Sequence, residues 1–196
     1  MIDYEKISNA IKYYKNAGFY QIEVPWTVSP EVDDITRPKD RIHMQLKHND
    51  KCLIGSGEQG FLYLYCKDYI LPGKYQTTTP CWRYEHYDGM HTKCFMKTEL
   101  IITDDVTIDE LNKLIDIAKN FYSKYLDVEV EKVAAGNSII NYDIVSKIGH
   151  YELGSYGIRT CDYLKWIYGT GCAEPRLSRV LKLIELKNGV SQNKNN

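Results

Sequence analysis

Residues 77–101 read TTTPCWRYEHYDGMHTKCFMKTELI. Two runs rich in Thr, Tyr, Phe and Ile, 75–84 and 93–103, flank a polar stretch, 85–92, that contains Asp88-Gly89. Asp-Gly between two such runs is a turn signal, so a long antiparallel hairpin with a loop at its tip is expected. Side chains alternate between the faces of a strand, which places Arg83 with Glu85 on the first strand and Phe95, Lys97 and Glu99 together on the second. Such a face offers a guanidinium to an anion, carboxylates to amino or amide N–H groups, and an aromatic plane to a base. The same pattern is also what an exposed hairpin carrying surface charge would show.

On the N-terminal side, Ile7, Ile11 and Tyr14 recur at helical spacing over 4–16, and Ala17-Gly18 closes that segment. A short alternating stretch, 19–24, then runs into Pro25. Residues 30–50 are polar and charged and read as a loop; 52–54 read as a short strand, Gly55-Ser56-Gly57 as a turn, and 58–69 as a helix ending before Pro72-Gly73. On the C-terminal side, Thr107 followed by Glu110 has the form of a capping box opening a helix to about residue 125. Strands are expected at 128–134, 151–156 and 163–170, and Pro175 suits the first turn of a last helix over 176–186. The order gives an α+β domain: an antiparallel sheet flanked by helices that enter at the start, middle and end.

With 196 residues, 43% of them hydrophobic, the chain can bury one sizeable core, so a single domain over 1–190 with a disordered tail at 191–196 is expected. A net charge of -1 lacks the positive excess of most proteins that neutralise many phosphates. No apolar run approaches the roughly 18–20 residues of a membrane helix, and the first residues lack the order of a secretory signal, so a cytoplasmic protein is expected. The six cysteines form no CxxC pair and read as reduced, mostly buried thiols. Lysines outnumber the six arginines, 37, 41, 83, 159, 176 and 179, so each arginine is a candidate for anion chemistry that lysine cannot copy.

The hairpin resembles motif 2 of the class II aminoacyl-tRNA synthetases, in which Arg-x-Glu on one strand faces a phenylalanine four residues before a glutamate on the next. Four further segments follow in that family's order. The helix at 7–17 with GFYQIEVP (18–25) resembles motif 1, whose proline lies at the family's dimer interface. CLIGSGEQGF (52–61) is similar to the amino-acid loop of the seryl enzymes, which have Thr-x-Glu in place of Ser56-Gly57-Glu58. The stretch 141–163 is similar to the seryl segment that ends in a metal-binding glutamate and a nearby serine, here Glu152 and Ser155. YGTGCAEPRLSRVLKLIE (168–185) resembles motif 3, a glycine-rich strand feeding a Pro-Arg at a helix start.

What the resemblance implies is amino-acid activation with ATP and Mg²⁺. Arg83 would bridge the amino-acid carboxylate and the α-phosphate, screening the repulsion between two anions that must meet. Glu85 would accept from the adenine amino group, Phe95 would stack under the base, and Arg176 would cover its other side and reach the γ-phosphate. Arg179, one helical turn on, is the rival for that role if the glycine-rich strand is read in a shifted register. Glu152, with Ser155 nearby, would hold Mg²⁺ on the phosphates. Ser56, Glu58, Glu99 and Thr170 would line a pocket for a small amino acid such as serine, alanine or glycine. Some seryl-like relatives bind zinc in this pocket, and here Cys172 and Glu99 would be two ligands with Glu58 as the third, no further cysteine or histidine standing in a matching place.

The departures from the family bear on the acceptor. No long helical arm precedes motif 1 and nothing substantial follows motif 3, and the loop at 86–92 is short, so tRNA charging by this chain alone is not expected. The short loop resembles that of the seryl-like amino acid:carrier protein ligases, which makes a carrier protein or another non-tRNA acceptor the expectation. The alternatives are a synthetase core needing a separate tRNA-binding part and a non-catalytic regulatory paralogue. A homodimer is expected from the motif 1 resemblance.

Overall fold

The computed structural model describes residues 1–39, 41–84, 90 and 92–192, the last four as backbone alone. In chain order the elements are α1 (Tyr4–Asn16), β1 (Tyr20–Gln21), β2 (Thr27–Val28), α2 (Pro30–Thr36), β3 (Cys52–Leu53) and α3 (Gly57–Cys66). The hairpin β4 (Lys74–Trp82) and β5 (Cys94–Ile102) follows, then α4 (Ile108–Tyr122), β6 (Val128–Val133), β7 (Ile140–Ser146), β8 (Glu152–Cys161), β9 (Leu164–Glu174) and α5 (Arg176–Gln192).

The hairpin forms as expected, with Thr79 opposite Lys97 and Thr77 opposite Glu99. It sits in a seven-stranded sheet ordered β1-β4-β5-β9-β8-β7-β6. Every neighbouring pair is antiparallel except β1 with β4, where Tyr20 and Gln21 run parallel to Tyr75 and Gln76. The sheet is therefore mixed rather than wholly antiparallel, because the chain reaches β1 from α1 and must cross through α3 before it lays down β4. Outside this sheet, β2 and β3 form a short antiparallel pair.

Helix ends follow local chemistry. The Asp3 side chain accepts from the amides of Glu5 and Lys6 to open α1, and Thr107 accepts from the amide of Glu110 to open α4. Three segments differ from the sequence reading. Residues 30–36 form α2 rather than loop: Pro30 starts the helix, and its buried Asp33 is held to α3 by Gln59, whose Nε2 donates to Asp33 Oδ1 at 2.5 Å. β7 was not anticipated, since its sequence, INYDIVS, mixes polar with apolar residues on both faces; it is held between β6 and β8. α5 continues beyond residue 186 to Gln192 and so takes in the first two residues of the expected tail; 193–196 lie outside the described residues.

One face of the sheet packs on α1 and α4 through Ile7, Tyr14, Leu114, Phe121 and Tyr122 against Leu100, Ile102, Tyr156 and Ile167. Tyr14 is fully buried and donates its hydroxyl to the Gly171 carbonyl at 2.9 Å. The approach is close enough that a Cβ at Gly171 would stand 2.8 Å from the Tyr14 ring. A second cluster, on α3 and the opposite side of β5 and β9, gathers Phe61, Leu62, Ile101 and Trp166. Beside it the sheet face is left open to form a cavity.

Candidate active site

The cavity, about 310 Å³, is large enough for a small-molecule ligand and is walled by the hairpin, the turn before α3, strands β8 and β9, the start of α5 and the segment after α2. On the hairpin, Arg83 lies over Phe95 with its guanidinium carbon 5.2 Å from the ring centroid. Its Nε donates to the Gly55 carbonyl at 2.9 Å, which fixes the side chain against the turn. Only glycine fits this arrangement comfortably at 55, since a Cβ there would lie 3.3 Å from the Trp82 carbonyl oxygen and 3.5 Å from Arg83 Cγ.

Deeper in, Ser56 caps α3 and donates its hydroxyl to Glu99 Oε2 at 2.6 Å. Lys97 Nζ donates to Glu99 Oε1 at 2.8 Å, so both oxygens of this buried carboxylate are held. The β-bulge between Thr98 and Glu99 leaves Glu99 paired with Thr170 on β9, and Thr170 Oγ1 accepts from the Ser155 amide at 3.4 Å. Four of the expected residues, Ser56, Glu58, Glu99 and Thr170, thus line one cavity.

Glu58 differs from the expectation in one respect: its carboxylate is already engaged. It accepts from Trp166 Nε1 at 2.6 Å and from Arg159 NH1 at 2.5 Å. Arg159 also stacks 4.0 Å from the Tyr168 ring centroid and donates to Ser138 Oγ, closing the inner end of the cavity. Burial works against the guanidinium charge, but Glu58 together with Tyr168 and Glu99 more than offsets it and the Arg159 pKa is raised. Burial also pushes the Tyr168 phenol up to about 12. Sequence reasoning counted Arg159 among the arginines worth inspecting but gave it no place; the alternation of Ser155, Gly157 and Arg159 along β8 was the signal available.

At the mouth, Arg176 at the start of α5 pairs with Glu152 at the start of β8, NH1 to Oε1, at 2.6 Å. Ser155 donates to Asp143 Oδ1 at 2.5 Å, and burial raises the Asp143 carboxyl above its ordinary range. Asp143 comes from β7, the strand not anticipated, and so went unnoticed. Of the two rival arginines, Arg176 lines the cavity, whereas Arg179 donates to the Met90 carbonyl at 3.1 Å. Glu85 lies outside the described residues.

A shared zinc ion between Cys172 and Glu99 does not fit the geometry. Cys172 is fully buried in the core beneath α1 and α4, with Tyr14 and Tyr156, while Glu99 faces the cavity from the opposite side of the sheet. Strand alternation separates thiol from carboxylate. Glu152, Ser155 and Asp143, by contrast, present an oxygen-only donor set suited to a hard cation such as Mg²⁺.

No protein-family model matches the sequence, and no curated protein does. Solved structures do match in fold. The cytoplasmic serine-tRNA ligase of Naegleria fowleri, in complex with AMP, superposes over 87% of this chain with a TM-score of 0.72 and 17% identity. The seryl-tRNA synthetase of Pyrococcus horikoshii, complexed with ATP, superposes over 88% with a TM-score of 0.74 and 16% identity. The pyrrolysyl-tRNA synthetase PylSc of Desulfitobacterium hafniense covers 91% with a TM-score of 0.73 and 16% identity. The chain spans 51% and 48% of the two seryl structures and 68% of the pyrrolysyl one. These likenesses show the fold: the chain has the α+β architecture of a class II aminoacyl-tRNA synthetase catalytic core.

Proposed function

From a chain with this fold, we propose that the cavity binds ATP and a small amino acid and joins them as an aminoacyl adenylate. The observation that carries the reading is the division of the cavity into two chemically distinct halves. Arg83 over Phe95, facing Arg176, forms an outer half suited to a nucleotide; Ser56, Lys97, Glu99 and Thr170 form a buried polar inner half suited to a zwitterion.

In the reaction, an oxygen of the amino-acid carboxylate attacks the α-phosphorus, a C–O–P bond forms, and the bond from the α-phosphorus to its bridging oxygen breaks. The electron pair leaves with pyrophosphate, and no protein acid or base is required. Arg83, held by Gly55, would contact both anions and stabilise the charge that grows between them. Phe95 offers a face for the adenine, with Glu85 as acceptor for its amino group. Glu99 and Ser56 would orient the α-ammonium, and Arg176 would exchange Glu152 for a phosphate. Mg²⁺, held by Glu152 with Ser155 and Asp143 nearby, would screen the phosphate charge.

The exposed Tyr20 and Trp26 flank Pro25 and offer the apolar surface for the homodimer that the motif 1 resemblance implies. For the acceptor, a carrier-protein thiol or another non-tRNA nucleophile remains the reading, supported by the near-neutral net charge of -1. Among the described residues no helix is long and apolar enough to cross a membrane.

The test is amino-acid-dependent exchange of pyrophosphate into ATP across the twenty amino acids, with Arg83→Ala as control. Exchange with one or two small amino acids, lost in the variant, is expected. No exchange by folded protein that binds ATP would overturn the reading in favour of a regulatory paralogue.

A further inference from the structure

We propose that Asp33, His43 and Cys52 form a binding site for a zinc-like divalent ion that clips the segment between α2 and β3, a site separate from the ATP and Mg²⁺ chemistry. One ligand atom from each of the three lies within 4.8 Å of the other two. Two of the residues, Asp33 and Cys52, are buried and His43 is partly so, unlike a chance cluster of surface carboxylates. Carboxylate, imidazole and thiol together are the donors of zinc rather than of magnesium or calcium, and three protein ligands leave a fourth position for water.

The surroundings are arranged to support the ligands. Gln59 donates to Asp33 Oδ1 at 2.5 Å, fixing the carboxylate while leaving Oδ2 turned toward His43 Nδ1 at 2.6 Å. His43 Nε2 lies 3.2 Å from Arg37 NH2 and 3.4 Å from Asp34 Oδ1; once Nδ1 takes the metal the guanidinium must turn aside and Asp34 becomes the acceptor for the Nε2 proton, the place in which carboxylates orient most metal-bound histidines. Arg37 presently shares Asp33 Oδ2, with its Nε at 3.1 Å, buried and without a hydrogen bond. The guanidinium has Asp34 and the Arg41 carbonyl as other partners, so Oδ2 can pass to an ion without stranding it. Ligand atoms around tetrahedral zinc stand about 3.3–3.6 Å apart, so His43 and Asp33, now 2.6 Å apart, must separate while the wider contacts close, adjustments within reach of side-chain rotation. On binding, the Cys52 thiol proton leaves to solvent, and His43 presents Nδ1 to the ion with its proton on Nε2.

The consequence is mechanical. Among the described residues of 37–51 there is little regular structure, chiefly the bridge from Gln45 to Cys52 and the Leu46–Lys51 turn, yet Arg37, Pro38, Arg41, Ile42 and Met44 wall the cavity. An ion holding α2, the loop and β3 together would set that wall.

The experiment is titration of the chelator-treated full chain with Co²⁺ alone, followed by displacement with Zn²⁺. A thiolate-to-cobalt charge-transfer band with visible bands of tetrahedral intensity is expected, saturating at one equivalent and bleached by zinc. Cys52→Ser should abolish the charge-transfer band, and Cys94→Ser should leave it intact. His43→Ala, at a partly exposed position, should weaken Co²⁺ binding at least about tenfold. No band in the parent protein, a band that survives Cys52→Ser, or unchanged affinity in His43→Ala would each overturn the site. The readout needs no ATP or amino acid, so it stands or falls apart from the proposed activity.

Discussion

Ser56 donates its hydroxyl to Glu99 at 2.6 Å, joining the turn before α3 to the centre of the hairpin, 43 residues away in sequence. The bond aims a buried carboxylate whose other oxygen is taken by Lys97. Glu99→Gln is expected to raise the KM for the amino acid about tenfold to a hundredfold in the exchange assay, the usual worth of a hydrogen bond to a charged group. It would also strand the Lys97 charge. The double variant Lys97→Met, Glu99→Gln should therefore regain stability while amino-acid binding stays weak; recovery of both would show that the carboxylate does not touch substrate.

Arg159, partly buried, pairs with the buried Glu58, and removing the arginine leaves that carboxylate uncompensated. Arg159→Met is expected to cost about 3–5 kcal/mol in urea unfolding. Combining it with Glu58→Gln should return much of that loss, because the glutamine can still accept from Trp166 without a net charge. A simple sum of the two single effects would show that the residues are not coupled.

Burial raises the Asp143 carboxyl. The folded state therefore holds a proton that the unfolded state has already released, and over that interval unfolding stability falls as pH rises. The contribution is fully present below the ordinary aspartate range and is lost as pH climbs through the raised native value. Asp143→Asn should flatten this part of the stability profile, its advantage over the parent growing with pH across that window and then levelling off. A parallel offset at every pH would mean that Asp143 is not the titrating group.

At Gly171 a Cβ would meet the Tyr14 ring at 2.8 Å and Thr98 Cγ2 at 3.1 Å. Gly171→Ala is expected to destabilise the fold by about 1–3 kcal/mol through overpacking, and Tyr14→Phe by about 1 kcal/mol through loss of the bond to the Gly171 carbonyl. With Tyr14→Leu beneath it, alanine at 171 should become better tolerated, which thermal denaturation of the paired variants can check.

The hairpin, α1 and α4 were legible in the sequence because alternation, helical spacing and caps coincide there: Thr107 does accept from Glu110, and Phe95, Lys97 and Glu99 do share a face. The pocket-lining set, Ser56, Glu58, Glu99 and Thr170, was legible through the resemblance to the class II synthetases rather than through spacing. What escaped was set by partners distant in sequence. The helix at 30–36 depends on Gln59 reaching Asp33, and no local pattern announces that. The engagement of Glu58 by Trp166 and Arg159 depends on two strands about a hundred residues further on, so the carboxylate read as available when it was not. Cys172 and Glu99 were linked by the resemblance to seryl-like relatives, and the sheet's two faces separate them.

The two-residue β1 has a role out of proportion to its length. It lies along the outer margin of β4, with Tyr20 and Gln21 beside Tyr75 and Gln76 and the Ile22 amide donating to the Gln76 carbonyl at 3.0 Å. Without it, the outward amides and carbonyls of β4 around Tyr75 and Gln76 would meet solvent unpaired, an inviting template for strand addition by another molecule. Proteolysis ahead of Pro25 would thus threaten solubility before it threatened chemistry, turning a guarded border of the sheet into an adhesive one.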